Sequence, residues 1–166
     1  MKSTLVLVRH STAARFDLAG DRARQLTEEG KRQAGELGKL LAESLTESIE
    51  QVWVSDAVRA QQTAKELLKY LPHQQVFTDP TIYEYDVDNL REIVHNCDSS
   101  SLMIIGHEPT ISSFGVSLLS EECQQREQFY GGIPTASALV MRSETSLAEL
   151  SCASCDLLEF IHAKPL

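Results

Sequence analysis

Leu5-Val6-Leu7-Val8-Arg9-His10-Ser11 is the stretch on which the reading of this chain turns. Four apolar, β-branched-rich residues followed at once by an arginine and a histidine read as a buried strand that delivers two cation-capable side chains to its carboxyl end. In open α/β sheets, ligands bind at that end. A second stretch of the same kind, Leu102-Met103-Ile104-Ile105-Gly106-His107-Glu108-Pro109, ends in another histidine, with Pro109 suited to the first turn of a helix. Two parallel strands would thus aim two imidazoles at one crevice. An arginine beside them implies an anion, and phosphate fits first, because a guanidinium matches its oxygens bidentately and a helix N-terminus offers free N–H donors.

Working outward, apolar and polar stretches alternate as strand, helix, strand, helix, which predicts an α/β, three-layer α/β/α fold with a mostly parallel sheet. The loop from Ser11 to Gln25 is long for a strand-to-helix connection, and such loops are usually functional or mobile. Thr27 is the expected N-cap of a helix with acidic residues in its first turn, running to about Leu45 with Leu37, Leu40 and Leu41 on one face. Gln51-Val52-Trp53-Val54 is the second strand, and Ser55-Asp56 starts a helix carrying Ala60, Ala64, Leu67, Leu68 and Leu71, ended by Pro72. Val76-Phe77-Thr78 is a short third strand, and Asp88 or Asn89 caps a helix through Val94. Ser101 to Gly106 is the fourth strand, followed by a helix over Pro109 to Leu119. Ile133 to Val140, Leu147 to Cys152 and Leu157 to Ile161 read as antiparallel strands.

The 166 residues read as a single domain, 1–166, of a size that buries roughly 70% of the surface exposed by the unfolded chain. A formal net charge of −9 argues against nucleic acid as a partner, since the overall field repels polyanions. A small anion can still enter a locally positive pocket, because fields are screened over about 8 Å at physiological ionic strength. No apolar window approaches the ~18 residues of a membrane span, and Met1-Lys2-Ser3-Thr4 runs straight into a strand without a signal-peptide core, so a cytoplasmic protein away from membranes is expected. Of the four cysteines only Cys152 and Cys155 form a C-x-x-C, in a strand region rather than before a helix, and reduced thiols are expected. His73, His95 and His162 lack partners at ligand spacing, and no metal is assigned.

Arg9 and His10 follow strand one, Arg59 stands one turn into the helix after strand two, and His107 follows strand four; each lies at or just past a strand's carboxyl end. Arg9-His10-Ser11, Ser55-Asp56-Ala57-Val58-Arg59 and Gly106-His107-Glu108-Pro109, in that order, resemble the histidine phosphatase superfamily, also called phosphoglycerate mutase-like. The short length, the Gly106 to Thr110 run and the late Pro134-Thr135-Ala136 look most like its SixA-type branch, the phosphohistidine phosphatases. That resemblance implies a cofactor-independent phosphatase in which His10 attacks phosphorus and becomes a transient phosphohistidine, while Arg9, Arg59 and His107 hold the equatorial oxygens. It further implies that His10 is neutral with one bare ring nitrogen, the other donating to a fixed acceptor such as a backbone carbonyl.

The implied partner is a phosphohistidine protein, such as a phosphotransfer domain, with a small phosphate ester as the alternative and a non-catalytic phosphate binder as the third reading. Ile82-Tyr83-Glu84 resembles the family's acidic pattern and nominates Glu84 as proton donor, or leaves it a solvated carboxylate in an acidic loop with Asp86 and Asp88. Ser11 stands where the family most often has glycine, so it must fit without positive φ or offer its hydroxyl as a donor. Ser55 either caps the helix or contacts phosphate; Glu108 and Thr135 either line the pocket or serve packing and capping. Arg59 on its own would be an ordinary exposed helix residue with Asp56 as its local partner. Arg15, Arg22, Arg24, Lys31 and Arg32 make the first loop and helix basic, a docking surface or, the favoured reading, a solvated face.

Overall fold

The computed structural model describes residues 2–164. Its six-stranded sheet comprises β1 (Ser3–Arg9), β2 (Ile49–Val54), β3 (His73–Thr78), β4 (Ser101–Gly106), β5 (Ser137–Ser143) and β6 (Asp156–His162), in the spatial order β3-β2-β4-β1-β5-β6. The first four strands run parallel, and β5 and β6 are antiparallel, as the alternation of elements predicts. Parallel strands buried on both faces need apolar residues at consecutive positions, which is why Leu5 to Val8 and Leu102 to Ile105 are unbroken apolar runs.

The pleat then sorts them. Leu5, Leu7, Leu102 and Ile104 meet Leu90 and Ile93 of α3 (Val87–His95) and Phe114 and Leu118 of α4 (Thr110–Leu118) on one face. Val6, Val8, Met103 and Ile105 meet Leu37 and Leu41 of α1 (Glu28–Ser44) and Ala60, Ala64 and Leu67 of α2 (Val58–Leu67) on the other. Truncating one of the leucines or isoleucines among them, or Met103, to alanine costs about 2–5 kcal/mol, through lost transfer energy and the cavity left behind. The register sets Arg9 beside Gly106 and Val54 beside Ile105, so β1, β2 and β4 reach their carboxyl ends together.

Boundaries differ from the sequence reading where local chemistry intervenes. Thr27 does cap α1, its hydroxyl accepting from Gly30 N at 2.9 Å, but α2 begins at Val58, not Ser55. Helix α3 is capped by Asp86, which accepts from Asp88 N at 2.9 Å, rather than by Asp88 or Asn89. The expected strand from Leu147 to Cys152 is instead a 3-10 turn, Leu147–Glu149, because buried Leu147 and Leu150 sit three apart and both enter the α3/α4 core. Strand β5 begins at Ser137 rather than Ile133: Pro134 lacks an N–H, and Ala136, at φ 54°, stands in the left-handed region that breaks an extended run. Among the described residues no helix is long and apolar enough to cross a membrane. Cys97, Cys123, Cys152 and Cys155 are separate thiols.

Candidate active site

At the carboxyl ends of β1, β2 and β4 lies a cavity of about 280 Å³ whose lining includes Arg9, His10, Arg59, His107, Glu108 and Thr135. These come from the end of β1, the first turn of α2, the turn after β4 and the approach to β5, so the sheet's parallel order converts distant sequence positions into one surface. The backbone is stitched where they meet. His10 N donates to Gly106 O at 3.1 Å, Ala136 N to His10 O at 3.1 Å, and Ser55 N to Ile105 O at 3.1 Å.

The two imidazoles stand 5.3 Å apart, centroid to centroid. His10 is 8% exposed, and its Nδ1 lies 2.7 Å from Ser11 O, so Nδ1 carries the proton and Nε2 keeps its lone pair. Burial, opposed by the Ser11 carbonyl and reinforced by His107, Arg59 and Arg9, brings the His10 pKa down to about 3. Burial and then Arg59 likewise bring His107 to about 4. Both rings are therefore neutral at pH 7. His107 Nε2 lies 2.8 Å from Ser55 Oγ, which also accepts from Ala57 N at 3.2 Å. The Ser55 hydroxyl has no other acceptor among the described residues, which assigns it as the donor and the His107 proton to Nδ1.

The guanidinium groups are held by main-chain oxygens. Arg9 Nη1 donates to Ile133 O at 2.7 Å, and Ile133 N donates to Glu108 Oε2 at 2.9 Å, while Glu108 Oε1 accepts from Ser112 N at 2.8 Å in the first turn of α4. Gly132 permits this clasp: its φ is +98°, and a Cβ there would come within 2.9 Å of Glu108 Oε2. Burial lowers the Arg9 pKa and Glu108 raises it. Arg59 is 3% exposed, not an ordinary surface residue, and its partner is Asp21 rather than Asp56. Asp56 pairs with Arg22 at 2.9 Å.

Arg9 Nε, Arg59 Nε and His107 Nδ1 are all buried without a hydrogen-bond partner among the described residues. A buried, unpaired N–H costs about 1–3 kcal/mol, more in a charged group, so three of them around one cavity mark a place built for an acceptor-rich group.

Other expected site residues fall differently. Ser11 does not reach the cavity: its hydroxyl donates to Gly30 O at 2.6 Å, its N–H donates to Thr63 Oγ1 at 3.0 Å, and it avoids positive φ. Ser55 is fully buried and neither caps α2, whose N-cap is Ala57, nor lines the cavity; its hydroxyl accepts from Ala57 N and touches His107. Thr135 does line the cavity, 3.2 Å from Thr12 Oγ1. Glu84 does not. The 3-10 turn Pro80–Tyr83 drives Ile82 into the core and turns Glu84 outward, where it is exposed and accepts from Asn89 Nδ2 at 2.9 Å.

The same turn aims Tyr83 at the site, its ring edge-on to His107 at 5.5 Å. Tyr83, Tyr85, Thr12, Ala13, Arg24 and Asp21 are the neighbours that sequence reasoning missed, although the length of the 11–25 loop signalled a role for that segment. Lys31 and Arg32 are neutralised locally by Glu28 and Glu29, in keeping with a solvated face, whereas Arg24, paired with Asp21, belongs to the cavity lining.

The family model for the histidine phosphatase superfamily (branch 1) matches residues 5–101. Among solved structures, a protein assigned as phosphohistidine phosphatase SixA from Nakamurella multipartitia superposes with a TM-score of 0.86 at 25% identity, covering 98% of this chain and 97% of that one. A protein likewise assigned as SixA, from Agrobacterium tumefaciens, gives 0.78 at 21% identity, covering 96% and 97%. A phosphoglycerate mutase from Plasmodium falciparum gives 0.68 at 23% identity, covering 99% and 94%. No curated protein matches the chain.

Proposed function

Because the chain belongs to the histidine phosphatase superfamily, we propose that it is a phosphohistidine phosphatase working through a phosphorylated His10. The observation that carries the reading is the set of buried, unpartnered nitrogens on Arg9, Arg59 and His107 beside a neutral His10 whose Nδ1 is pinned to Ser11 O. Likeness to the SixA protein of Nakamurella multipartitia supports it.

His10 Nε2 attacks phosphorus as the substrate's P–N bond breaks, and the departing imidazole takes a proton from solvent. Water then attacks the phosphorus on His10, its P–N bond breaks, Nε2 recovers its lone pair and inorganic phosphate leaves. Negative charge stays on the equatorial oxygens throughout a loose transition state, so the main contribution of Arg9, Arg59 and His107 is preorganised electrostatics. A transition-state arginine in phosphoryl transfer is worth about 10³ to 10⁵ in rate, or roughly 4 to 7 kcal/mol.

A phosphoramidate substrate fits better than an ester. An alkoxide leaving group requires a general acid worth about 10² to 10⁴; Glu84 lies outside the cavity and both Glu108 oxygens accept main-chain N–H groups. Steady-state rates on a histidine peptide phosphorylated with phosphoramidate, set against a sugar phosphate, test this. The expected result is turnover of the peptide at least ~100-fold more efficient. Comparable rates on both would favour the ester reading.

A further inference from the structure

Arg59 is nearly fully buried, yet the groups that hold it come from a loop 38 residues earlier in the chain. Its Nη1 donates to Asp21 O at 2.8 Å and its Nη2 to Asp21 Oδ2 at 3.1 Å. Asp21 sits in the 3-10 turn Asp21–Ala23 of the first loop, with its side chain 48% exposed, on the solvent side of a guanidinium that is 3% exposed. The same carboxylate accepts from Tyr83 Oη at 2.5 Å and from Arg24 Nε at 2.9 Å. Those bonds, that from Tyr83 foremost, hold the Asp21 carboxyl well below the usual carboxylate range, and it stays charged across the working pH range.

A guanidinium offers its donors in a planar fork. Asp21 takes one N–H from each terminal nitrogen, which leaves Nε, without any partner, and the second N–H of each terminal nitrogen for other acceptors. The two uses therefore do not compete: the carboxylate fixes the plane and the free edge is left for an oxyanion. Tyr83 extends the same control to the second imidazole, because the ring bonded to Asp21 through its hydroxyl packs edge-on against His107. Arg22 lies over the same ring at 4.2 Å while pairing with Asp56 at 2.9 Å, which docks the loop independently of Arg59.

We infer that Asp21 is the positioning residue of the phosphoryl site, with Tyr83 as its strut: it fixes the Arg59 guanidinium plane so that its unused N–H groups meet the transferring group, and makes the first loop part of the reaction geometry. The inference rests on the phosphoryl-site reading above.

Calorimetric titration with orthovanadate, a mimic of the in-line transition state, tests it alongside kinetics on the phosphoramidate-phosphorylated peptide. Asp21→Ala weakens vanadate roughly 10- to 100-fold, the worth of charge-assisted hydrogen bonds. It lowers kcat by a similar factor and moves KM less than about threefold, as expected for a group acting at the transition state. In an Arg59→Ala background the same substitution costs no more than about a further twofold, because the residue acts through Arg59. Asp56→Asn, which loosens the loop at Arg22 only, changes vanadate affinity by less than about twofold, within the small worth of an exposed pair.

Tyr83→Phe removes a single hydroxyl and weakens vanadate about threefold. It decides the matter if Asp21→Ala fails to fold. Tighter vanadate binding in Asp21→Ala would make the carboxylate a competitor of the oxyanion and overturn the inference, as would unchanged affinity or full additivity with Arg59→Ala. Wild-type protein that binds no vanadate overturns the phosphoryl-site reading itself, and this inference with it.

Discussion

The two ends of the central sheet carry cavities of similar size and opposite character. At the amino end about 320 Å³ is lined by Lys2, Thr4, Ser44, Ser101 and Arg142 among others, and at the carboxyl end about 280 Å³ is lined by Arg9, His10, Arg59 and His107. Both are concave and both are lined by cationic side chains, Lys2 and Arg142 at the amino end and Arg9, Arg24 and Arg59 at the carboxyl end. At the amino end, however, Arg142 is exposed, and Lys2, 65% exposed, reaches Glu144 at only 3.8 Å. Such pairs are worth about 0–1 kcal/mol and are screened by salt. At the carboxyl end Arg59 is buried and tied to a main-chain oxygen and a carboxylate, so its charge acts at short range through a medium far less polarisable than water. Size does not distinguish a site from a dent; fixed, desolvated charge with unused donors does.

The largest expected contrast between the ends is in rate. Arg59→Ala lowers kcat/KM on the phosphorylated peptide by about 10³ to 10⁵, whereas Arg142→Ala leaves it within about twofold. Stopped-time phosphate release on both variants checks this, and equal losses would erase the distinction.

Acid should separate the ends next. His10 and His107 have folded pKa values of about 3 and about 4, below the unfolded value of about 6.5. Between those limits the unfolded chain binds protons that the folded chain refuses, so stability is full above pH 6.5 and is lost as pH falls toward 4. Urea unfolding at pH 7 and pH 4 should show a loss of a few kcal/mol, clearly smaller in His107→Asn and unaltered in Arg142→Ala.

A finer contrast concerns support. Ser55→Ala removes the contacts to His107 Nε2 and Ala57 N, and should lower kcat about 2- to 10-fold, the worth of one buried neutral hydrogen bond. Smallest is Glu84→Gln, expected to change peptide turnover by less than about twofold, since a solvated carboxylate bonded to Asn89 is remote from the transferring group. A larger loss would bring Glu84 back as a proton donor.

What could be read from the chain follows the same division. Arg9, His10 and His107 were legible because an apolar run that ends in a polar side chain fixes both the strand and the end to which that side chain is delivered. Strand β6 matches its sequence reading to within a residue at each end, but β5 starts at Ser137 rather than Ile133, because Ala136 in the left-handed region leaves no mark in the residue pattern. Glu84 and Tyr83 show the limit most clearly. The Ile82-Tyr83-Glu84 segment was singled out, but which neighbour faces the site depends on a 3-10 turn capped by Asp79, a rotation that the sequence alone does not disclose. Asp21 was hidden for another reason: its contacts with Arg59 and Tyr83 span 38 and 62 residues, and an acidic residue in a polar loop looks like any solvated carboxylate.

The most direct test of the central claim is to mix the protein with the phosphoramidate-phosphorylated peptide carrying labelled phosphate, quench within milliseconds in alkali, and map the label by mass spectrometry. The account predicts an acid-labile, alkali-stable phosphoryl group on His10, absent from His10→Ala and reduced in Arg59→Ala. Turnover with no label on His10, or label on another residue, would contradict it.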